Sequence, residues 1–340
     1  MKQLGRTSLC AGVLISVAMG GASLAQQGSP QPPPTRVISK IRGDLYKFQN
    51  NQHNSWFLVT PEGVVVGDPI NAEAAAWLKN EIAQRFKVPV RYLVYSHHHW
   101  DHARGARVFD DTAELVGHAN MAAAIKDAVE NIQAGITRGL DRNKDRKLDR
   151  TEAQGGTLRQ FDMLDTNKDG ALDGSEITGD VRAPESTYTD RRTITLGGKR
   201  VELIHPGPNH TVDGTVVYFP AERVVFGVDW INVRRTAGNL LTPAPLSQWI
   251  SSLKQVEALD FDLVAPGHGN IGTKADLVDQ RQYFEDLVAG VSKGIAAGRT
   301  VEQLQASDLL EQYSWWPGFV QGRNRNIAHT YQRLKAAGSR

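Results

Sequence analysis

Apolar and polar positions along this chain fall into two rhythmic blocks with an acidic stretch between them. In the first block, short β-branched and aromatic runs at residues 45–48, 56–60, 64–67, 90–95 and 114–117 read as strands, with Pro61-Glu62-Gly63 as a hairpin turn. Apolar spacing of three and four marks helices at 72–86 and 118–132. The second block repeats the theme, with strands at 192–196, 200–205, 215–219, 223–228 and 263–265 and a helix at 246–259. Gly197-Gly198 and Pro220-Ala221-Glu222 supply its turns, and residues 274–340 read as mostly helical. Hairpin strands followed by βαβ units, twice over, predict an α/β fold of two halves stacked sheet on sheet with helices outside.

The ends and the middle break this rhythm. Lys2 and Arg6 precede an apolar stretch at 9–19 that is short for a membrane span, and Ser23-Leu24-Ala25 is a small-x-small cleavage site. Residues 1–25 are therefore expected to be a signal peptide, and the destination the periplasm or the exterior. Pro30, Pro32, Pro33 and Pro34 make 26–36 an extended linker. The expected core domain is 37–134 with 183–272, the insert 135–182, and the helical extension 273–340.

Cleavage changes the charge. The leader holds two Lys/Arg and no Asp/Glu, so the balance falls from 39 − 37 = +2 to 37 − 37 = 0. No net basic field remains to favour nucleic acid or a membrane surface, and a small molecule is the expected partner. Cys10 is the only cysteine, so the processed chain has no disulfide, thiolate ligand or thiol nucleophile.

The insert contains two twelve-residue matches to a calcium loop of the EF-hand type, starting 24 residues apart. In the second, Asp165, Asn167, Asp169, Ala171 (through its carbonyl), Asp173 and Glu176 occupy the ligand positions, with Gly170 at the sixth. In the first, Asp141, Asn143, Asp145, Lys147 (through its carbonyl), Asp149 and Glu152 do so, but Arg146 stands where glycine makes the sharp turn. The first loop is expected to bind more weakly. Leu148 and Leu172 are placed to pair as a small β-bridge, and one or two Ca²⁺ ions are expected.

The densest chemistry lies at the end of the strand at 90–95. His97-x-His99-x-Asp101-His102 offers four metal ligands within six residues, and the backbone must turn sharply for them to converge. His97 and His99 face one way, Asp101 and His102 the other, so a pair of ions is expected. Three more polar residues sit just past strand ends in the second block: His210 after a Gly/Pro turn, Asp229 after Phe226-Gly227, and His268 between Gly267 and Gly269. Imidazole and carboxylate without thiolate suit zinc, with iron or manganese as alternatives.

Taken in order, His97-x-His99-x-Asp101-His102, Gly207-Pro208-x-His210-Thr211, Phe226-Gly227-x-Asp229 and Pro266-Gly267-His268-Gly269 resemble the metallo-β-lactamase-fold hydrolases. The resemblance implies a four-layer αββα sandwich, here carrying an inserted α-helical EF-hand pair and a helical C-terminal tail. It implies two zinc ions, one on His97, His99 and His210, the other on Asp101, His102 and His268, with Asp229 bridging. A hydroxide shared by ions ~3.5–4 Å apart would attack the substrate, oriented by Asp101 as the catalytic residue. His53, His118, His205 and His329 match no ligand position and read as structural.

The ligand set is glyoxalase II-like, and the spacing and helical tail resemble periplasmic hydrolases of the sulfur-oxidation and quinoprotein-relay type. The function implied is hydrolysis of an ester, lactone, amide or related bond, with a structural or regulatory calcium insert. Aspartate at 229 excludes the thiolate-dependent lactamases, which have cysteine there, and argues against the Asp-His subclass, which lacks a bridging carboxylate. A lactamase acting on β-lactam antibiotics, an iron-containing redox member of the fold, and a calcium-responsive binding protein on an inactive scaffold are the alternatives. Arg234 and Arg235 are candidates to grip a substrate carboxylate or sulfate. Residues 50–56 read as a turn that could flap over the metals, and Trp315-Trp316 as an anchor for the tail or a cover for the site.

Overall fold

Strand-forming runs in the first block assemble in a computed structural model that describes residue 1, residues 33–135 and residues 137–338. The signal-peptide expectation and most of the linker fall outside the described residues. From Pro34 on, the chain forms one unit, and the fold is described for that unit alone.

The first half runs β1 (Arg36–Arg42), β2 (Leu45–Asn50), β3 (His53–Thr60), β4 (Gly63–Val66), α1 (Ala72–Phe86), β5 (Val90–Val94), α2 (Trp100–Ala103), β6 (Glu114–His118) and α3 (Met121–Glu130). The insert holds β7 (Leu148–Asp149), α4 (Gly155–Arg159), α5 (Phe161–Leu164), β8 (Ala171–Leu172) and α6 (Gly174–Thr178). Then follow β9 (Ser186–Tyr188), β10 (Arg191–Leu196), β11 (Lys199–Ile204), β12 (Val216–Phe219), β13 (Val224–Gly227), α7 (Leu246–Glu257), β14 (Leu263–Pro266) and β15 (Gly272–Thr273). The chain closes with α8 (Lys274–Ala296), α9 (Val301–Gln305) and α10 (Phe319–Gly338).

Among the described residues, one sheet has the order β1-β2-β3-β4-β5-β6-β9 and the other β10-β11-β12-β13-β14-β15. Antiparallel hairpins open each sheet, and parallel pairs follow at β4-β5, β5-β6 and β13-β14. The faces that meet carry Leu45, Trp56, Leu58, Val65 and Val116 from one sheet and Val201, Leu203, Val217, Phe219 and Phe226 from the other. Helices cover the outer faces. α1 buries Ala74, Ala75, Leu78 and Ile82 against the first sheet, with the Asn71 side chain accepting from Ala74 N at 2.9 Å to cap it. Leu253 of α7 and Tyr283, Phe284 and Leu287 of α8 lie in the core outside the second sheet.

One expectation is corrected, and two segments gain detail. Residues 36–42 form an edge strand paired with β2 that was not among the expected strands; Arg36-Val37-Ile38-Ser39-Lys40-Ile41-Arg42 alternates enough to pair on one side. Residues 53–56 are strand, with Asn54, Ser55 and Trp56 buried, so no flap forms there and only Asn51-Gln52 turns. The helical segment after 273 packs on the core outside the second sheet, with Trp316 as its anchor. Trp316 is buried against Tyr283, ring centroids 5.2 Å apart, and Ile327 of α10 lies in the same core.

The acidic insert also joins the main core. Leu148, Phe161, Leu164, Leu172 and Ile177 cluster with Trp100, Ala103 and Ile132. Leu148 pairs with Leu172 in the short β7-β8 ribbon.

Candidate metal centre

The run at His97 leaves β5 at a point where the backbone is fixed by a buried carboxylate. Ser96 N donates to Asp68 Oδ1 at 2.7 Å, and His102 Nδ1 lies 3.5 Å from Asp68 Oδ2. His99 then caps the single helical turn α2, with Ala103 N donating to His99 O at 2.9 Å. This turn is what brings His102 back over His97, where a plain loop was expected. Gly105, at φ 89°, lets the exit pass the start of α1, since a Cβ there would stand 2.3 Å from Ala72 N.

The other three residues arrive from the second sheet. His210 follows β11 on a turn with Gly207 at φ 86°. Asp229, two residues beyond β13, is held at φ 66°. His268 follows β14, and a Cβ on Gly267 behind it would come within 2.5 Å of Val228 Cγ1 and 2.9 Å of Asp229 Oδ1. Glycine at 267 therefore follows from close packing at the site.

These residues converge as two groups, His97-His99-His210-Asp229 and Asp101-His102-Asp229-His268, with the ligand atoms of each group within 4.8 Å of one another. Asp229 faces both. Its Oδ2 lies 3.6 Å from His97 Nε2 and 3.7 Å from His210 Nε2, while its Oδ1 lies 3.2 Å from both His102 Nε2 and His268 Nε2. His99 Nδ1 and His210 Nε2 are 3.1 Å apart, as are His102 Nε2 and His268 Nε2 to 3.2 Å. Asp101 Oδ2 is 3.9 Å from both His102 and His268. Nitrogens packed this closely cannot all carry protons, and a shared cation resolves the conflict. Buried His97 Nε2 and Asp101 Oδ1 have no hydrogen-bond partner, which suits the same reading.

Charge follows position. Burial, with histidine neighbours adding to it, pushes His97 and His99 well below the ordinary histidine value, and burial lowers His210 too. They stay neutral, the form a metal accepts. Burial opposes ionisation of Asp229 and Asp101, but the adjoining imidazoles prevail and hold both carboxyls low. Burial likewise opposes charge on His102 and His268, yet Asp229 holds both up. The first group thus sets neutral acceptor nitrogens, and the second imidazoles held toward their charged form, around one shared anion.

Sequence reasoning missed four neighbours. His53, assigned a structural role, has Nε2 3.5 Å from Asp101 Oδ2 and its ring 4.7 Å from that of His268. Asn54 beside it straps β3 to the His268 loop, donating to Pro266 O at 3.1 Å and Gly269 O at 2.8 Å. Asp213 takes His98 Nδ1 at 2.9 Å and so fixes the turn after His210. Asp68 lies just past β4, the strand-end criterion that had selected Asp229, and was legible by that rule. The remaining histidines are elsewhere: His118 and His205 stack at 3.9 Å, and His329 Nδ1 accepts from Leu240 N at 3.2 Å.

The two arginines separate. Arg234 Nε donates to Asp276 Oδ1 at 2.6 Å, so its fork is engaged within the protein. Arg235 lines a cleft with His53, Asp101 and His268. A second cavity of about 210 Å³ adjoins the first group through His98, His99 and His210, and Arg138 of the insert is in its wall.

The insert's loops turn tightly. Glu176 Oε1 accepts from Thr166 N at 3.0 Å and Asn167 N at 3.2 Å, closing the second, and Gly170 has φ 85°. Glu152 Oε1 does the same from Arg142 N at 2.8 Å and Asn143 N at 3.2 Å, with Arg146 at φ 68°. Asp141 and Asp145 accept backbone N–H groups in the first loop, as Asp165, Asn167, Asp169 and Asp173 do in the second. Asp149 accepts from Glu152 N at 3.0 Å, and Lys147 Nζ reaches across to Asp169 Oδ2 at 2.6 Å.

Comparison with known proteins agrees with this geometry. The chain is 23% identical over 272 residues to the linear primary-alkylsulfatase of Pseudomonas sp. (strain ATCC 19151), covering 75% of this chain and 50% of that protein. It is 29% identical over 114 residues to metallo-beta-lactamase type 2 of Bacteroides fragilis, covering 32% and 45%. The chain thus spans about half the length of these curated relatives. A solved metallo-beta-lactamase from Pontibacter korlensis superposes with a TM-score of 0.54 at 20% identity, covering 74% of this chain and all of that one, a likeness of fold. Since the model of the Metallo-beta-lactamase superfamily matches residues 49–268, which carry all seven converging residues, the chain belongs to that superfamily.

Proposed function

We propose that this protein is a metal-dependent hydrolase that holds two divalent ions, zinc by its donor set, and cleaves an ester, lactone, amide or related bond of a small molecule. The observation that carries the reading is Asp229, with one oxygen toward each histidine group. His97, His99 and His210 would hold one ion, and Asp101, His102 and His268 the other. Bound there, such ions polarise a scissile oxygen and bring the pKa of water to about 7. The chain's own residues then orient: Asp68 fixes His102, the Gln52 carbonyl fixes His268 Nδ1 at 2.9 Å, and Asp101 directs the nucleophile.

We further propose that the insert binds calcium in both loops. Buried Glu152 Oε2 and Asp165 Oδ1 lack partners, and each belongs to a ligand position of its loop. Secretion to the periplasm or exterior, where calcium is plentiful, fits this role.

The test is metal analysis of protein purified without chelator, followed by a panel of esters, lactones, β-lactams, thioesters, phosphodiesters and sulfate esters. Two zinc ions per chain and turnover on one bond class are expected. A zinc-loaded protein inert on the whole panel would overturn the hydrolase reading, and iron in place of zinc would favour the redox alternative.

A further inference from the structure

The cleft beside the second histidine group has a cationic wall that the hydrolytic machinery does not use. Its volume is about 550 Å³, and one end is formed by His53, Asp101 and His268. The same cleft is lined by Arg159, the last residue of α4 in the insert, and by Arg235, in the loop after β13. Both arginines are exposed, and neither forms a hydrogen bond or ion pair among the described residues. Arg235 Nη1 lies 3.8 Å from the point a Cβ on Gly269 would occupy, which puts its charge beside the His268 loop. Arg159 Nη2 lies equally close, 3.8 Å, to the corresponding point on Gly156 of the same wall.

Arg234, next to Arg235 in the chain, is by contrast neutralised by Asp276, as Arg223 is by Asp260 and Asp262. In this cleft the other wall residues are amides and glycines, and the one carboxylate, Asp101, already faces His102 and His268. Two unpaired guanidinium forks therefore project a positive field into a cavity that ends at the metal centre. A planar fork matches an oxyanion with two or more oxygens.

We propose that Arg159 and Arg235 form an anion subsite that fixes the charged end of the substrate, a carboxylate, sulfate or phosphate group carried away from the bond to be cleaved. This inference rests on the hydrolase reading and extends it to anionic substrates. It also makes the insert part of the substrate site, because Arg159 follows the first calcium loop by seven residues, 159 − 152 = 7.

The test uses the full chain loaded with zinc and calcium. Binding of hexanesulfonate, hexanoate and hexylphosphonate is measured by calorimetry against a neutral control, hexyl methyl sulfone. R159Q and R235Q are each expected to weaken the tightest of the three anions about three- to fivefold, the upper range for an exposed charge pair. The double variant should lose about tenfold, equivalent to about 1.4 kcal/mol. Sulfone binding, zinc content and melting temperature should not change, and R159K with R235K should recover most of the affinity. Equal affinity of wild type and double variant for all three anions overturns the proposal. Arginine-dependent binding without turnover on the bond panel would remove the hydrolase reading and leave the subsite; turnover with arginine-independent binding would do the reverse.

Discussion

Asp229 stands in left-handed backbone at φ 66°, which costs a residue with a Cβ about 1–2 kcal/mol. That cost is offset by what surrounds it. Trp230 and Ile231 are buried immediately after, and Trp230 N closes the turn on Val228 O at 2.9 Å. The strained turn is what lets one carboxylate present an oxygen to each group. Asparagine tolerates the same backbone but carries no charge, so Asp229→Asn tests the bridge with little disturbance of the fold. It should retain about one zinc of two after dialysis. Turnover should fall by more than the about 10–100-fold typical of residues that only orient a ligand. Metal-to-protein ratio and kcat/KM on a common substrate decide it; two retained zinc ions with normal turnover would remove Asp229 from the site.

At the scale of elements, most strands were legible because β-branched runs between Gly/Pro turns leave few alternatives. The convergence of the seven His and Asp residues was legible for a related reason: they stand in loops just past strand ends. His53 escaped because it begins a strand, and its approach to His268 depends on Asn54 bonding to the Pro266 and Gly269 carbonyls across the sheets. Arg159 escaped too, since an exposed arginine in a five-residue helix carries no local signal. The insert's loops were readable, but its packing was not. Gly174 of α6 fits so closely on α3 that a Cβ would stand 2.4 Å from the Ala128 and Val129 carbonyl oxygens. Such packing couples the second loop to the helix that walls the cavity of about 210 Å³ beside His99 and His210.

Calcium is therefore expected to act on stability. A loop saturated at 100 times its Kd adds about 2.7 kcal/mol to the folded state. Asp165→Ala with Glu176→Ala should abolish the calcium-dependent rise in melting temperature from the second loop while leaving zinc content unaltered. Unchanged melting in calcium would show that this loop holds no ion. Turnover that switches with calcium at constant stability would make the insert a regulator instead.

Over the whole molecule, α10 splints the long segment between Asp229 and α7. Asn326 Nδ2 donates to Ala237 O at 3.0 Å, and Arg333 donates to the Leu240, Thr242 and Ala244 carbonyls. This segment carries Arg235 and part of the wall of the cavity beside His99 and His210, so the C-terminal layer reaches the site indirectly. One contact in the splint depends on pH. His329 Nδ1 accepts from Leu240 N, which requires a neutral ring. Burial, aided by Arg325 and Arg333, lowers its pKa from 6.5 to about 4.

An unfolded chain takes up this proton near pH 6.5 and the folded one only near pH 4. The stabilisation is thus complete above pH 6.5 and is lost progressively as pH falls toward 4. His329→Gln cannot take up the proton, so it should melt at or below the wild-type temperature at neutral pH and gain on it as the solution is acidified. Subtracting the two melting curves cancels the titration of the metal ligands, which both proteins share. A difference that stays constant from pH 6.5 to 4 would mean that His329 is free to protonate in the folded state and that α10 does not depend on this bond.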